Sequence, residues 1–230
     1  MEWPSKYNAL RSLITVDKSK WTESCINSVG QSQTAVWHAE RHHRITCSNK
    51  VHRIKTKQNN FEDLAKQFLN DKYRNILTDD MRYGLKMEAI ARSCFESHTK
   101  LKVHEVGLVI SLQQPYLACS PDGIIIDEDG NIQLLEIKCP SSCKETNIIH
   151  DITQEIRVSY LKLNSDGKII LKENDKYYTQ VQVSMYVLGV TLCHFWVYSN
   201  IDYIYIVINR DEEFLKEVIP KIEYFYYTYF

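Results

Sequence analysis

Glycine and proline are scarce in this chain of 230 residues, at 7 and 5 respectively. Collagen-like, low-complexity and linker-rich architectures are thereby excluded. An excess of either charge is also missing: 28 Lys and Arg face 29 Asp and Glu, for a formal net charge of −1. A uniformly basic coat for nucleic acid is excluded, although a local basic patch is not. The opening Met1-Glu2-Trp3-Pro4-Ser5-Lys6 has no basic stretch followed by an apolar core, so no signal peptide is expected. The most apolar run, 187–198, is too short to span a bilayer and is interrupted by Thr191 and His194. A soluble, intracellular protein with no membrane contact is expected. The seven cysteines are odd in number and unevenly spaced, which fits reduced thiols better than a disulfide framework. Neither Cys139, Cys143 and His150 nor His43, Cys47 and His52 has the paired spacing of a structural zinc site.

What remains is the composition of an ordinary globular protein, with 44% hydrophobic and 25% charged residues. The length suits one domain over 1–230. Residues 1–30 are weakly patterned and fit a short helix plus loop. Helices are predicted over 33–44, 60–71 and 80–97, the last capped by Asp79 or Asp80. Strands are then predicted at 103–112, 116–120, 123–127 and 132–139, bounded by turn residues. A helix at 143–150 and strands at 155–163 and 169–173 follow. A helix at 177–188, a hairpin of 193–199 with 203–209, and a closing helix at 211–226 complete the chain. This order predicts an α/β fold with helices around a central mixed sheet.

The most informative stretch is Ser120-Pro121-Asp122-Gly123 followed by Glu136-Ile137-Lys138. Strand alternation puts Leu134, Glu136 and Lys138 on one face and Leu135, Ile137 and Cys139 on the other. Both faces carry apolar residues, so both should be packed, and buried Glu and Lys require partners. A three-residue turn at Glu128-Asp129-Gly130 pairs Asp127 with Asn131 and, further along, Asp122 with Glu136. Facing Cβ atoms lie roughly 5 Å apart. Two carboxylates so placed repel unless a cation lies between them, and hard oxygen donors favour Mg²⁺ or Mn²⁺. Lys138 would orient or deprotonate a water, or hold a phosphate oxygen. These are parts for metal-assisted phosphodiester hydrolysis. From spacing alone, a solvated salt bridge on a surface hairpin stays open.

Two helical residues join this set. Glu88 lies within the apolar stripe Gly84, Met87, Ala91, Cys94 and Phe95, which suggests a site carboxylate; pairing with Lys86 or Arg92 is the alternative. Gln182 adjoins the stripe Tyr178, Val181, Met185 and Leu188, with Gln180 toward the other side. It can serve a water or a phosphate, or be a satisfied core amide. The neutral total also conceals a basic segment. Over 38–57, Arg41, Arg44, Lys50, Arg53, Lys55 and Lys57 face the single acid Glu40. Arg suits bidentate phosphate binding. Thr46 and Ser48 can cap the helix that follows or donate to a phosphate at its N-terminus.

Five motifs in order carry a resemblance. They are Trp37…Glu40-Arg41…Ile45-Thr46-Cys47-Ser48; Arg82-Tyr83-Gly84…Glu88; Ser120-Pro121-Asp122-Gly123; Leu135-Glu136-Ile137-Lys138-Cys139-Pro140; and Gln180-Val181-Gln182…Ser184-Met185. Spanning 37–185, they resemble the lambda-exonuclease-like, YqaJ-type viral recombinase nucleases of the PD-(D/E)XK superfamily. The resemblance implies a restriction-endonuclease-like fold. It implies that Asp122, Glu136 and the Ile137 carbonyl bind Mg²⁺ or Mn²⁺, that Lys138 activates water, and that Glu88 and Gln182 support them. It implies a 5′-phosphate pocket of Arg41, Thr46, Ser48 and Ser120. The activity implied is 5′ to 3′ digestion of double-stranded DNA in recombination or repair, beside a single-strand annealing protein, with a trimer as in phage members. Cys47 stands where the family more often has Ala. The segment from 190 onward matches no motif, which leaves the trimer without support. An endonuclease of the same superfamily and a non-catalytic DNA-binding module are the competing readings.

Overall fold

The computed structural model describes residues 14–70 and 78–230. The start of the predicted N-terminal helix and loop, and Asp71 at the end of the predicted 60–71 helix, lie outside the described residues. In chain order the elements are α1 (Lys18–Asn27), α2 (Ala35–His42), β1 (Ile45–Thr46), α3 (Asn49–Thr56), α4 (Phe61–Leu69), α5 (Asp79–Thr99), β2 (Val103–His104), β3 (Val109–Ile110), β4 (Leu117–Cys119), β5 (Gly123–Ile126) and β6 (Ile132–Lys138). Then come β7 (Leu161–Leu163), β8 (Ile169–Leu171), α6 (Lys176–Leu188), β9 (Leu192–Tyr198), β10 (Tyr203–Asn209) and α7 (Glu212–Tyr229).

The central sheet has the order β10-β9-β6-β5-β2 and is mixed: β6 runs parallel to β9, and the other pairs are antiparallel. A parallel neighbour needs a crossover, and α6 supplies it between β6 and β9. A smaller sheet, β1-β4-β3, shares the chain passing from β4 into β5. Residues 120–122 therefore lie at the junction of the two sheets.

Alternation along β6 sorts its residues as the sequence predicts. Leu134 packs with Val181 and Met185 of α6, while Leu135 and Ile137 pack with Ala91 and Phe95 of α5 and with Trp196. Fully burying a side chain such as Phe95 contributes about 2–3 kcal/mol, so each face is anchored by a helix.

The predicted hairpin register holds. Gly123 faces Leu135 and Ile126 faces Ile132, with Gly130 left-handed at φ 83° in the turn. Gly123 is required for a second reason: a Cβ there would meet Val103 Cγ1 at 2.4 Å, so only glycine lets β2 lie against β5 beside Asp122.

Three predicted elements differ. The 103–112 strand splits into β2 and β3, in separate sheets. The chain turns at Gly107, where a Cβ would stand 2.1 Å from the Cys25 carbonyl oxygen. The 143–150 helix is a short 3-10 turn, Ser141–Cys143, after which Ile149 bridges Ile156. The Asp202 carboxylate takes the Ile148 N–H (2.9 and 3.0 Å), so this backbone is satisfied without a helix. The 155–163 strand is reduced to β7. Helix α5 is capped by Thr78, which accepts from Met81 N (3.2 Å), while Asp79 and Asp80 sit in its first turn. All seven cysteines are free, and among the described residues no helix is long and apolar enough to cross a membrane.

His194 in β9 is buried between Tyr205 OH at Nδ1 and Gln133 Oε1 at Nε2, both at 2.6 Å. With Nε2–H donating to Gln133, the neutral ring is satisfied on both sides, and burial holds its pKa down at about 4. The unfolded chain takes up this proton near pH 6.5 while the folded one does not, so stability is lost as pH falls from 6.5 toward 4. The stability gap between wild type and His194→Gln, measured by urea denaturation, should shrink by on the order of 2 kcal/mol between pH 7.5 and 4.5.

Candidate nuclease centre

Asp122 and Glu136 meet at the end of β5 and β6 nearest the small sheet. Asp122 Oδ2 accepts the Ile137 N–H at 2.7 Å. Glu136, 1% exposed, accepts from Lys138 Nζ at 2.5 Å and from Gln180 Nε2 at 2.6 Å, both at Oε1. Among the described residues, Asp122 Oδ1 and Glu136 Oε2 carry no hydrogen bond. Each carboxylate thus has one oxygen held by the protein and one left for a ligand.

Glu88 reaches the same region from α5. Its Oε1 takes Arg92 Nη2 at 2.7 Å, and Arg92 Nη1 pairs with Glu105 at 2.7 Å. The Arg92 partner considered from the sequence is therefore present, and so is the proximity to the other acids. Burial first, and then the charge of Asp122, push Glu88 up to about 7. Burial also raises Asp122, and burial together with the Asp122 and Glu88 charges pushes Glu136 up to about 8 despite Lys138 beside it. For Lys138, burial alone would lower the pKa, but the charges of Glu136 and Asp122 reverse this and hold it well above an ordinary lysine. One buried acid, Glu136, and two half-buried ones, Asp122 and Glu88, share two cations, an arrangement short of positive charge.

A divalent cation would relieve it. Among the described residues no group of three or more His, Cys, Asp or Glu could cage a metal alone. The set here is instead two carboxylates, beside the Ile137 carbonyl that the resemblance implies as a third ligand; these are hard oxygens that would leave places for water and phosphate. That donor set fits Mg²⁺ or Mn²⁺, which are bound through one or two carboxylates with substrate oxygens completing the shell.

Gln182 is not in this centre. It is fully buried, its Nε2 donates to Asn209 O (3.0 Å) and its Oε1 accepts from Asp211 N (2.8 Å), tying α6 to the start of α7. Gln180, two residues earlier, is the amide that reaches Glu136. Of the two alternatives its sequence context leaves open, Gln182 is the satisfied core amide, because α6 is packed on two sides: Val181 and Met185 join the central-sheet core, and Val183 joins the core of α3, α4 and α7. Replacing Gln182 with Leu orphans two main-chain groups and should cost about 2–3 kcal/mol in chemical denaturation.

The basic segment resolves into distinct parts. Arg44 is structural: 2% exposed, it pairs with Glu40 at 2.6 Å and donates to the carbonyls of Pro115 and Ile14. Arg41 stacks on Trp37 with its guanidinium 3.8 Å from the ring centroid, and Trp37 Nε1 donates to Ser120 Oγ at 2.8 Å. Thr46 Oγ1 lies 3.2 Å from Ser48 Oγ, and Ser48 precedes α3 without capping it. Parallel pairing of β1 with β4 sets Thr46 beside Ala118, so this group borders Ser120 and hence Asp122. Burial pulls Arg41 down to about 10, and burial with the Arg41 charge pulls Lys50 down to about 8. Neither has a carboxylate partner among the described residues. Two crowded cations beside three hydroxyls have the chemistry to attract an anion. Gln180, Arg92 and Trp37 are visible in the sequence, but their spacing alone assigns none of them to the site. A Gln-x-Gln pair places its members on different helix faces, a signal that only one can address the strand.

Comparison with known proteins fits this architecture. The structure of LHK-Exo in complex with dAMP superposes with a TM-score of 0.62 and 25% identity, over 84% of this chain and 90% of that one. The alkaline exonuclease LHK-Exo from Laribacter hongkongensis superposes at 0.61 with 23% identity, over the same 84% and 90%. The Shutoff and Exonuclease Protein from Kaposi's sarcoma-associated herpesvirus shares the fold at 0.54 and 13% identity, over 88% of this chain and 71% of that one. No curated protein sequence matches the chain. The model of the YqaJ-like viral recombinase domain matches residues 21–191, which include both carboxylates, Lys138 and the cationic group, and the chain belongs to that family.

Proposed function

We propose that this chain is a metal-dependent exonuclease of double-stranded DNA, digesting from 5′-phosphorylated ends in recombination or repair. The observation that carries the proposal is the placing of Asp122 on the backbone of Ile137, between Glu136 and Lys138, with Lys138 paired to Glu136. Asp122, Glu136 and the Ile137 carbonyl would hold Mg²⁺ or Mn²⁺. The cation supplies charge neutralisation at the scissile phosphate and a more acidic water. Lys138 holds and orients the attacking water and steadies Glu136. Gln180 fixes Glu136 Oε1 so that Oε2 faces the substrate. Glu88, held by Arg92, accepts a hydrogen bond from water at the margin of the site. Arg41, Thr46, Ser48 and Ser120 bind the terminal phosphate and fix which bond reaches the carboxylates, which is a positioning effect.

The test compares linear duplexes bearing 5′-phosphate or 5′-hydroxyl ends, and covalently closed circles, with Mg²⁺ present. Linear 5′-phosphorylated DNA should be digested fastest and circles left intact. Arg41→Ala should reduce the preference for phosphate about tenfold or more. Rapid linearisation of circles would overturn the exonuclease assignment.

A further inference from the structure

The face of α6 that addresses β6 presents two residues, not one. Gln180 reaches Glu136. Tyr177, three residues earlier and so on the same side of the helix, lies under Lys138, whose Nζ is 4.7 Å from the ring centroid. The helix thus matches the strand residue for residue, with the amide on the acid and the ring on the lysine. Nothing in the acidic constellation requires an aromatic there.

Tyr177 is itself held. Asp175 caps α6 and accepts from Tyr177 N at 2.9 Å, which fixes the backbone from which the ring projects. Tyr160 meets the ring edge-on, with centroids 4.9 Å apart at 85°. Tyr160 is 8% exposed, and it also packs edge-on against Phe195. It leaves its hydroxyl without a hydrogen-bond partner among the described residues, a cost accepted where its ring is needed. Lys176 Nζ also lies 5.0 Å from the centroid of the Tyr177 ring.

We infer that Tyr177 is a positioning residue for Lys138: its ring face holds the ammonium beside Glu136 by a cation–π contact, and Tyr160 sets the plane of the ring. The inference rests on the proposed part of Lys138 in hydrolysis. It assigns the ring, not the phenol hydroxyl, as the working group. A cation over an aromatic face in a partly desolvated site is held more firmly than one left to water. The ring also restricts where Lys138 can go while leaving two of its three N–H donors for water and phosphate.

The experiment uses the full chain and two readouts. The first is kcat and KM on 5′-phosphorylated linear duplex with Mg²⁺. Tyr177→Leu should lower kcat about tenfold with KM within about twofold, and Tyr177→Phe should restore kcat to within about twofold of wild type. The second is amine acylation of the metal-free proteins, quantified at Lys138 by mass spectrometry. Labelling should accelerate several-fold in Tyr177→Leu and match wild type in Tyr177→Phe. Unchanged kcat and unchanged Lys138 labelling in a folded Tyr177→Leu would overturn the inference. So would a Tyr177→Phe as impaired as the Leu variant, because the hydroxyl would then be the working group. An inactive wild type, with the labelling difference intact, would overturn the nuclease reading and leave the contact standing.

Discussion

Replacing Lys138 with Ala should lower kcat on linear duplex DNA by about 10³-fold, within the range expected for removing a group that handles the water proton. The same change should destabilise the metal-free protein. Lys138 is the direct cationic partner of Glu136, at 2.5 Å, and Glu136 is almost wholly buried. Taking away one member of such a pair leaves an uncompensated charge and costs about 3 kcal/mol or more. The two losses should part company when Mg²⁺ is added. The cation replaces the missing positive charge and should recover most of the melting temperature, whereas kcat should stay low because the water has lost its orienting amine. Thermal melts and single-turnover rates with and without Mg²⁺ check this. Recovery of both would reduce Lys138 to a structural counter-charge.

Asp122→Asn should have the opposite effect on stability and a similar effect on turnover. Asp122 is held above its usual carboxylate range chiefly by burial, and the hydrogen bond it takes from Ile137 N can also be accepted by an amide oxygen. The metal-free variant should therefore be about 1–3 kcal/mol more stable than wild type near pH 8, since a buried charge of the crowded sign is gone. Wild type should gain stability with Mg²⁺ according to occupancy, and the variant should not. The pH dependence has a definite sign. Asp122, Glu136 and Glu88 all have folded pKa values above their unfolded ones, the last two at about 8 and about 7. The folded state then binds more protons, so their contribution is fully present below pH 4 and is lost as pH rises toward 8. In Asp122→Asn this loss should be shallower, because one acid and its repulsion of the others are removed. Denaturation midpoints across pH 5 to 8.5 in chelator measure it.

Much of the site was legible because strand chemistry is local. Period-two alternation along β6 and a three-residue turn with Gly130 place Asp122 opposite Glu136 without any tertiary information. The βα crossover, the closing helix and the β9–β10 hairpin were likewise visible in apolar periodicity. What escaped detection depends on how layers stack. Helix α6 is buried on two sides, so its apolar pattern does not say which glutamine faces β6, and Gln182 has the burial of a site residue with the bonds of a structural one. The basic segment counted as a patch because charge was summed along the chain. In space Arg44 turns inward to Glu40 and two main-chain carbonyls, while Arg41 stays beside Ser120 through Trp37. The 143–150 segment has helical composition, but the Asp202 carboxylate satisfies its backbone from 54 residues away, a partner that no local rule anticipates.

The proposed activity requires a divalent cation held by Asp122 and Glu136 and used to cut DNA from its ends. The most direct measurement is the release of acid-soluble nucleotides from 5′-phosphorylated linear duplex by wild type and Asp122→Asn side by side, in Mg²⁺ and in chelator. Release by wild type in Mg²⁺ alone is the predicted result. Equal release by the variant, or undiminished release in chelator, would contradict it.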